Sequence, residues 1–144
     1  MQYPNVSGKF YKDILDSKIL IVDDQETNVR LLEYVLHSNG YRSVLGITDP
    51  RDVVPIYREY SPDLVLLDLI MPHMDGVELM EKLQQVERET YPSIVIISAS
   101  TNDEARIRSL ALGAIDFISK PFNRAEVAVR ISNMLRVQPV LQSR

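Results

Sequence analysis

Four short apolar runs, each ending in polar residues, constrain the fold of this chain more than any other feature. They cover residues 19–22, 64–67, 94–97 and, interrupted by Asp116, 114–118. Continuous runs of leucine and β-branched residues, without alternation, are typical of strands buried on both faces. A weaker run at 43–47 predicts an edge strand. Such strands need helices on both sides.

Segments with helical spacing follow these runs. The expected helices cover 26–39 and 102–112 and begin near Asp49, Asp75 and Asn123. Asp75 and Asn123 each precede a glutamate by three residues, which is the spacing of a capping box. Pro55 falls inside the second helix, where we expect a distortion because proline lacks an N–H group. Five strands alternating with five helices predict one α/β domain over about residues 18–137, with a parallel sheet covered on both faces.

The two ends of the chain are less informative. In residues 1–17, the spacing of Phe10, Tyr11, Ile14 and Leu15 is compatible with one or two amphipathic helical turns. We expect this N-terminal extension to pack on the domain; the alternative is a partner-binding segment. Residues 138–144 are interpreted as a tail or the start of a linker.

Composition excludes several classes of function. The 144 residues carry a formal net charge of −4, which argues against binding of nucleic acid by the domain as a whole. The absence of cysteine excludes disulfides, thiolate metal sites and cysteine nucleophiles. The apolar runs are far shorter than the ~20 residues of a membrane span. No signal peptide is recognisable at the N-terminus, so the expected location is cytoplasmic.

The unusual polar residues lie where the predicted strands end. They are Asp23, Asp24, Asp68, Ser98 and Lys120. Ligands of open parallel sheets bind at this edge. Three carboxylates converging there repel one another unless a cation offsets their charge, and oxygen ligands suit Mg²⁺ or Mn²⁺. A carboxylate can also form an acyl phosphate, with the metal, a lysine and a hydroxyl stabilising the transferred group.

Each of these residues alone has a plainer explanation. An aspartate after a strand is often a helix N-cap, a lysine before proline is usually a solvated loop charge, and a serine is commonly a turn residue. The joint pattern, in which each residue ends its own strand, is much harder to attribute to chance.

This joint pattern resembles the response-regulator receiver domain, the phospho-acceptor of two-component signalling. The resemblance covers about residues 18–137. The motifs that carry it are Lys18-Ile-Leu-Ile-Val-Asp-Asp24, Asp63-Leu-Val-Leu-Leu-Asp68-Leu-Ile-Met-Pro72-His-Met-Asp-Gly76, Ile97-Ser-Ala99 and Gly113-Ala-Ile-Asp-Phe-Ile-Ser-Lys120-Pro-Phe122. It implies a flavodoxin-like, doubly wound (βα)5 fold with strand order 2-1-3-4-5.

The resemblance also implies a metal site next to an acceptor. Asp68 matches the phosphorylated aspartate and Asp24 the direct metal ligand. Asp23 matches the second acid, which acts through water. Ile70 would offer its backbone carbonyl to the metal. Ile70 is also a departure, because a bulky apolar residue stands at a position that tunes phosphate lifetime in the family.

Three further residues match the switch of the family. Ser98 matches the switch hydroxyl, where threonine is common, and Lys120 matches the lysine that pairs with the phosphoryl group. Phe117 matches the aromatic position that swings inward when the hydroxyl moves, and it lacks a tyrosine hydroxyl. The bond between Lys120 and Pro121 is usually cis in the family.

The implied protein is a phosphoprotein that is not an enzyme, although it assists its own phosphorylation and dephosphorylation. The implied donor is a sensor histidine kinase or a phosphotransfer protein. Phosphorylation would switch the surface formed by the fourth helix, fifth strand and fifth helix. Its target would be an attached effector domain, a downstream protein or a second copy, without direct contact to nucleic acid or membrane.

Three alternatives remain at this point. A haloacid-dehalogenase-type phosphatase also uses a strand-end aspartate, but its second aspartate, two residues on, is replaced here by Ile70. A degenerate receiver would act only as an interaction module, although the required side chains are present. A flavodoxin-like FMN carrier is disfavoured because three carboxylates would repel the phosphate.

Overall fold

The computed structural model of the protein describes residues 2–4 and 10–136. Its centre is a five-stranded parallel sheet with the order β2-β1-β3-β4-β5. The strands are β1 (Lys18–Val22), β2 (Ser43–Ile47), β3 (Leu64–Leu67), β4 (Ser93–Ser98) and β5 (Ala114–Ser119). The expected 2-1-3-4-5 order is confirmed, and the weak run at 43–47 is an edge strand.

Five helices cover the two faces of this sheet. They are α1 (Glu26–Ser38), α2 (Val53–Tyr60), α3 (Gly76–Gln84), α4 (Asp103–Ala111) and α5 (Arg124–Arg136). Successive side chains of the central strands point to opposite faces of the sheet. Leu20 and Val22 pack with α2 and α3, whereas Ile19 and Ile21 pack with α1 and α5. The residues of β3 are all buried, as expected for a strand covered on both sides.

Side-chain caps begin three of these helices. A carboxylate oxygen of Asp75 accepts a hydrogen bond from the backbone N–H of Glu78 at 2.9 Å. The side-chain oxygen of Asn123 accepts from Glu126 N–H at 3.0 Å, and that of Asn102 accepts from Ala105 N–H at 3.1 Å. These caps give otherwise unpaired N–H groups an acceptor, and the capping-box spacing in the sequence located those at Asp75 and Asn123.

The second helical segment differs from the expected single helix. A 3₁₀ turn, Pro50–Asp52, comes first, capped by Asp49, and α2 starts only at Val53. Pro55 is therefore the third residue of α2, where a backbone N–H would have no helical acceptor in any case. The distortion expected at Pro55 takes the form of this late start.

The N-terminal extension combines a strand with a single 3₁₀ turn where one or two helical turns were expected. Gln2–Pro4 and Phe10–Lys12 form a short antiparallel pair, and the 3₁₀ turn Ile14–Asp16 follows. An isolated turn of helix is marginal because nucleation is unfavourable, whereas strand pairing supplies backbone partners at once. The expected tail, 138–144, lies outside the described residues. No helix in the described ranges is long and apolar enough to cross a membrane.

Candidate functional site

The carboxyl ends of four neighbouring strands bring the candidate site residues together. Asp23 and Asp24 follow β1, Asp68 follows β3, Ser98 ends β4, and Lys120 follows β5. Backbone pairing continues to these positions: Asp68 N–H donates to Val22 at 3.0 Å, and Lys120 N–H donates to Ser98 at 3.0 Å. The side chains therefore project from a hydrogen-bonded sheet edge rather than from loose loops.

Asp68 has a donor on each of its carboxylate oxygens. Oδ1 accepts from the hydroxyl of Ser98 at 2.7 Å and from the backbone N–H of Ile70 at 3.1 Å. Oδ2 lies 3.1 Å from the Nζ of Lys120. Asp68 is only 5% exposed and Ser98 is fully buried, so these contacts fix the carboxylate in a single orientation.

Lys120 bridges two of the buried carboxylates. Its Nζ is 2.6 Å from Oδ2 of Asp23 and 3.1 Å from Oδ2 of Asp68, and its side chain is 14% exposed. Burial alone would lower the pKa of Lys120, but the hydrogen bonds and negative charges of both aspartates outweigh it and raise the pKa. Lys120 therefore stays cationic between the two acids.

Three carboxylates meet beside this lysine. One oxygen each from Asp23, Asp24 and Asp68 can be chosen so that all lie within 4.8 Å of one another. Against three negative charges, Lys120 supplies one positive charge, which leaves a surplus of two among these four side chains. A clustered, oxygen-only donor set with that surplus fits a hard divalent cation such as Mg²⁺. Asp24 is more exposed than Asp23, which leaves the cluster open to solvent on one side.

Phe117 lies on the strand beside Ser98. In the pairing of β4 with β5, Ile96 lies opposite Phe117 and Ser98 lies opposite Ser119. Because side chains alternate along a strand, Phe117 shares the face of Ser98 one pleat away. Its ring is half-buried against the core beneath α2 and α3, and the guanidinium of Arg106 on α4 lies 5.1 Å from the ring centroid. The sequence did not predict this cation–π contact.

Gly76 is the residue at the site that the sequence reasoning missed. A Cβ atom built on it would lie 2.4 Å from the carbonyl oxygen of Asp68 and 2.8 Å from the Cα of Leu69. Its N–H donates to the carbonyl of Leu69 at 3.0 Å, so the chain closes tightly behind the acceptor. The Asp-Gly pair at 75–76 marks a turn in the sequence, but it does not reveal which backbone this glycine touches.

Two further expectations concern the backbone. The bond between Lys120 and Pro121 is cis, as the resemblance implied. Ile70 is 58% exposed beside the acceptor. The backbone N–H of Ile70 already donates to Asp68, so its backbone carbonyl is the group that remains for a metal ion.

The chain is similar to known proteins over most of its length. The profile of the response regulator receiver domain matches residues 19–132. The alkaline phosphatase synthesis transcriptional regulatory protein PhoP of Bacillus subtilis is 35% identical over 122 residues, which are 85% of this chain and 50% of that protein. Response regulator PleD of Caulobacter vibrioides is 34% identical over 127 residues, 88% of this chain and 28% of that protein. The chain thus spans about half or less of these relatives.

Solved structures agree as well. A CheY-like receiver domain from Methanospirillum hungatei has a TM-score of 0.76 at 25% identity, covering 84% of this chain and 94% of that one. The receiver domain of a histidine kinase from Syntrophus aciditrophicus has a TM-score of 0.73 at 30% identity, covering 85% and 92%. Neither the phosphatase nor the FMN carrier is favoured by these matches. The chain belongs to the family of response regulator receiver domains.

Proposed function

We propose that Asp68 accepts a phosphoryl group from the phosphohistidine of a sensor histidine kinase or phosphotransfer protein, or from a small phosphodonor. The observation that supports this most directly is the surroundings of Asp68. Its two oxygens face Lys120 and Ser98, and Asp23 and Asp24 complete an acidic cluster. A buried carboxylate with this environment suits a nucleophile that must receive a highly charged group.

In the transfer, a carboxylate oxygen of Asp68 forms a bond to phosphorus. The bond from phosphorus to the donor atom breaks, and the leaving imidazole nitrogen or acetate oxygen keeps the electron pair. Asp68 becomes an acyl phosphate. Lys120 and the hydroxyl of Ser98, which contact the free carboxylate, then turn to the new phosphoryl oxygens and stabilise their charge.

Mg²⁺, or Mn²⁺ in its place, fits this function. Asp23, Asp24 and Asp68 would hold it with the backbone carbonyl of Ile70, and Asp23 would act through water. When bound, the ion supplies positive charge that offsets the carboxylates as the phosphoryl group approaches. By the same charge compensation, the chain would assist the later hydrolysis of its own acyl phosphate.

The signal would pass from Ser98 to α4, β5 and α5. Movement of the Ser98 hydroxyl towards phosphate vacates space on the face that Phe117 shares. The ring can fill this space only if its contact with Arg106 changes, which transmits the movement to α4. Burial of a phenylalanine side chain contributes at most ~1.5–3 kcal/mol, so the switch is a shift of populations.

The proposed output is a change of binding partner. The switched surface would contact an attached effector domain, a downstream protein or a second copy of the chain, in the cytoplasm. An effector that controls transcription has support in the name of the B. subtilis relative, a transcriptional regulatory protein. The receiver itself would contact neither nucleic acid nor membrane.

The test is labelling with acetyl phosphate followed by intact mass measurement, with and without EDTA. We expect one phosphate adduct that requires Mg²⁺ and disappears in Asp68→Asn. The matched control is Asp63→Asn, which alters an aspartate just before the opposite end of β3, where its side chain accepts from the N–H of Lys18. An adduct in Asp68→Asn as large as in the wild type contradicts the assignment. A wild-type protein that takes no phosphate with Mg²⁺ present would instead be a degenerate receiver.

A further inference from the structure

Outside the site, Asp13 is the one buried acidic residue in the described part of the chain, at 6% exposure. It precedes the 3₁₀ turn Ile14–Asp16, and its Oδ1 accepts from the N–H of Leu15 at 3.0 Å. Its Oδ2 lies 3.5 Å from the guanidinium of Arg42, just before β2. The same guanidinium binds Asp16, through its Nε at 2.9 Å and through a terminal nitrogen. One arginine thus ties two acids of the N-terminal extension to the domain.

Main-chain and apolar contacts strengthen this attachment. The carbonyl of Leu15 accepts from the N–H of Arg42 at 3.3 Å. The side chain of Leu15 covers Gly40, whose φ of +92° ends α1: a Cβ built there would lie 3.3 Å from Leu15 Cδ1. Exposed ion pairs alone contribute little, so the packing of Leu15 makes the attachment specific. We call residues 13–17 the N-terminal clasp.

The clasp also reaches the end of α5. Its turn lies against α5, and Ile14 and Leu15 pack on the cluster that contains Tyr41 and Leu135. Tyr41 is 3% exposed, and its phenol lies close enough to Ser132 and Arg136 of α5 for both to influence its pKa. Arg42, which binds the clasp, is therefore the direct neighbour of a residue that holds α5.

We propose that the N-terminal clasp anchors the C-terminal half of α5, and that it limits how far a movement of α4 and β5 spreads along α5. The second part rests on the proposed function. The middle of α5 has its own contact with β5, because Arg130, the seventh of its thirteen residues, pairs with Asp116 at 2.9 Å. The clasp supplies a separate attachment at the C-terminal end, so that end can respond differently from the rest of the helix.

The test is amide exchange of the full chain without Mg²⁺ or phosphodonor. Arg42→Ala and Leu15→Ala each remove one part of the attachment. We expect exchange of residues 131–136 to accelerate roughly tenfold in both variants, with little change at residues 19–22 of β1. The matched control is Arg51→Ala, since Arg51 also pairs with an aspartate and its side chain is 58% exposed, against 54% for Arg42.

Two outcomes overturn the proposal. One is exchange of 131–136 in the Arg42 and Leu15 variants that equals exchange in the control. The other is an equal acceleration of 19–22 and 131–136, which would make the clasp a contributor to global stability only. A second arm adds beryllofluoride and Mg²⁺. Changes should reach 131–136 in Arg42→Ala and stop before them in the wild type. If beryllofluoride changes amide exchange in neither the wild type nor Arg42→Ala, the proposed function fails. The first arm still tests whether the clasp anchors α5.

Discussion

Charged groups are arranged differently at the carboxyl edge of the sheet, where the parallel strands end, and at its amino edge, where they begin. At the carboxyl edge, Asp23 and Asp68 are 2% and 5% exposed and share Lys120, whose side chain is 14% exposed. At the amino edge, Arg42 pairs with Asp13 and Asp16 while more than half of its side chain faces water. Water can screen the amino-edge pairs, but it reaches the carboxyl-edge pairs poorly.

This difference separates the proposed functional cluster from a structural attachment. A buried excess of negative charge is a poor way to stabilise a fold, because desolvation can exceed the Coulombic gain. Such a cluster is retained where charged groups do chemistry. At the amino edge, the half-exposed Arg42 pairs with the buried Asp13 and the partly exposed Asp16, and the main attachment of this segment is the packing of Leu15 against Gly40. Variants at the two edges should therefore differ in size of effect and in response to Mg²⁺.

The largest difference is expected when each edge loses its cation. Lys120→Met leaves Asp23 and Asp68 facing each other unneutralised, and it should lower the free energy of unfolding by about 3 kcal/mol without Mg²⁺. Arg42→Met should lower it by only about 1 kcal/mol, because water reaches Asp16 and the buried Asp13 keeps the N–H of Leu15 as a donor. Urea unfolding measures both values.

Mg²⁺ completes this comparison. It should restore much of the loss in Lys120→Met, because the ion replaces the missing positive charge, and it should not restore Arg42→Met. Equal losses of unfolding free energy in the two variants would contradict the distinction between the edges. A loss in Lys120→Met that Mg²⁺ does not reduce would contradict it as well.

Mg²⁺ should also stabilise the wild-type protein. At a concentration of 100 times its dissociation constant, a ligand that binds only the folded state adds about 2.7 kcal/mol. Asp24→Ala should abolish most of this gain, because Asp24 is the most open carboxylate of the cluster and the expected direct ligand. Lys120→Ala should keep metal binding and lose the response to phosphorylation.

Urea unfolding at increasing Mg²⁺ concentrations measures these affinities. Asp16→Ala is the control at the amino edge. Equal losses of Mg²⁺ affinity in Asp24→Ala and Lys120→Ala would show that the roles of ligand and phosphoryl contact are wrongly divided.

Much of the carboxyl edge could be predicted from the sequence because its signals are local. Each apolar run ends at a polar residue, and parallel strands bring their carboxyl ends to one edge. The sequence therefore predicts that Asp68, Ser98 and Lys120 lie close together. The contact between Arg106 and Phe117 could not be predicted, because it depends on how α4 lies against β5.

The amino edge was predicted less well because its contacts also join segments that are distant in the sequence. Leu15 and Arg42 are 27 positions apart in the sequence, and no spacing rule relates them. The residues of the extension are compatible with helical turns, but a turn forms only at Ile14–Asp16, whereas Phe10–Lys12 pairs as a strand with the distant Gln2–Pro4. Contacts between distant segments are set by tertiary packing, which a local pattern does not contain.

Two glycines extend the comparison of the edges. Gly76→Ala should destabilise the protein by about 2 kcal/mol, because the new methyl would overlap the backbone of Asp68 and Leu69. Gly113→Ala has open space around it, so its cost of about 1 kcal/mol comes only from the φ of +108° before β5. Gly76→Ala should also weaken Mg²⁺ binding because it shifts the acceptor strand end, whereas Gly113→Ala should not. Calorimetric Mg²⁺ titration and urea unfolding test both statements; matching Mg²⁺ affinities in the two variants would contradict the role given to Gly76.

The smallest effect is expected at alkaline pH. Burial raises the pKa of Tyr41 above its ordinary value of 10.0, although the hydrogen bond with Ser132 and the charge of Arg136 act in the opposite direction. The unfolded chain therefore loses this proton at lower pH than the folded one. The contribution of Tyr41 to stability is complete below pH 10.0 and falls as the pH rises towards its folded pKa.

Tyr41→Phe removes the ionising hydroxyl, so it should flatten the alkaline decline in stability, and it should change stability at neutral pH by no more than about 1 kcal/mol. Tyr34→Phe is the control, because Tyr34 is 62% exposed and should leave the profile unchanged. Urea unfolding between about pH 8 and pH 11 measures the slopes, each ionising group contributing up to about 1.4 kcal/mol per pH unit. A decline in Tyr41→Phe as steep as in the wild type would show that Tyr41 is not what makes the amino edge sensitive to alkali.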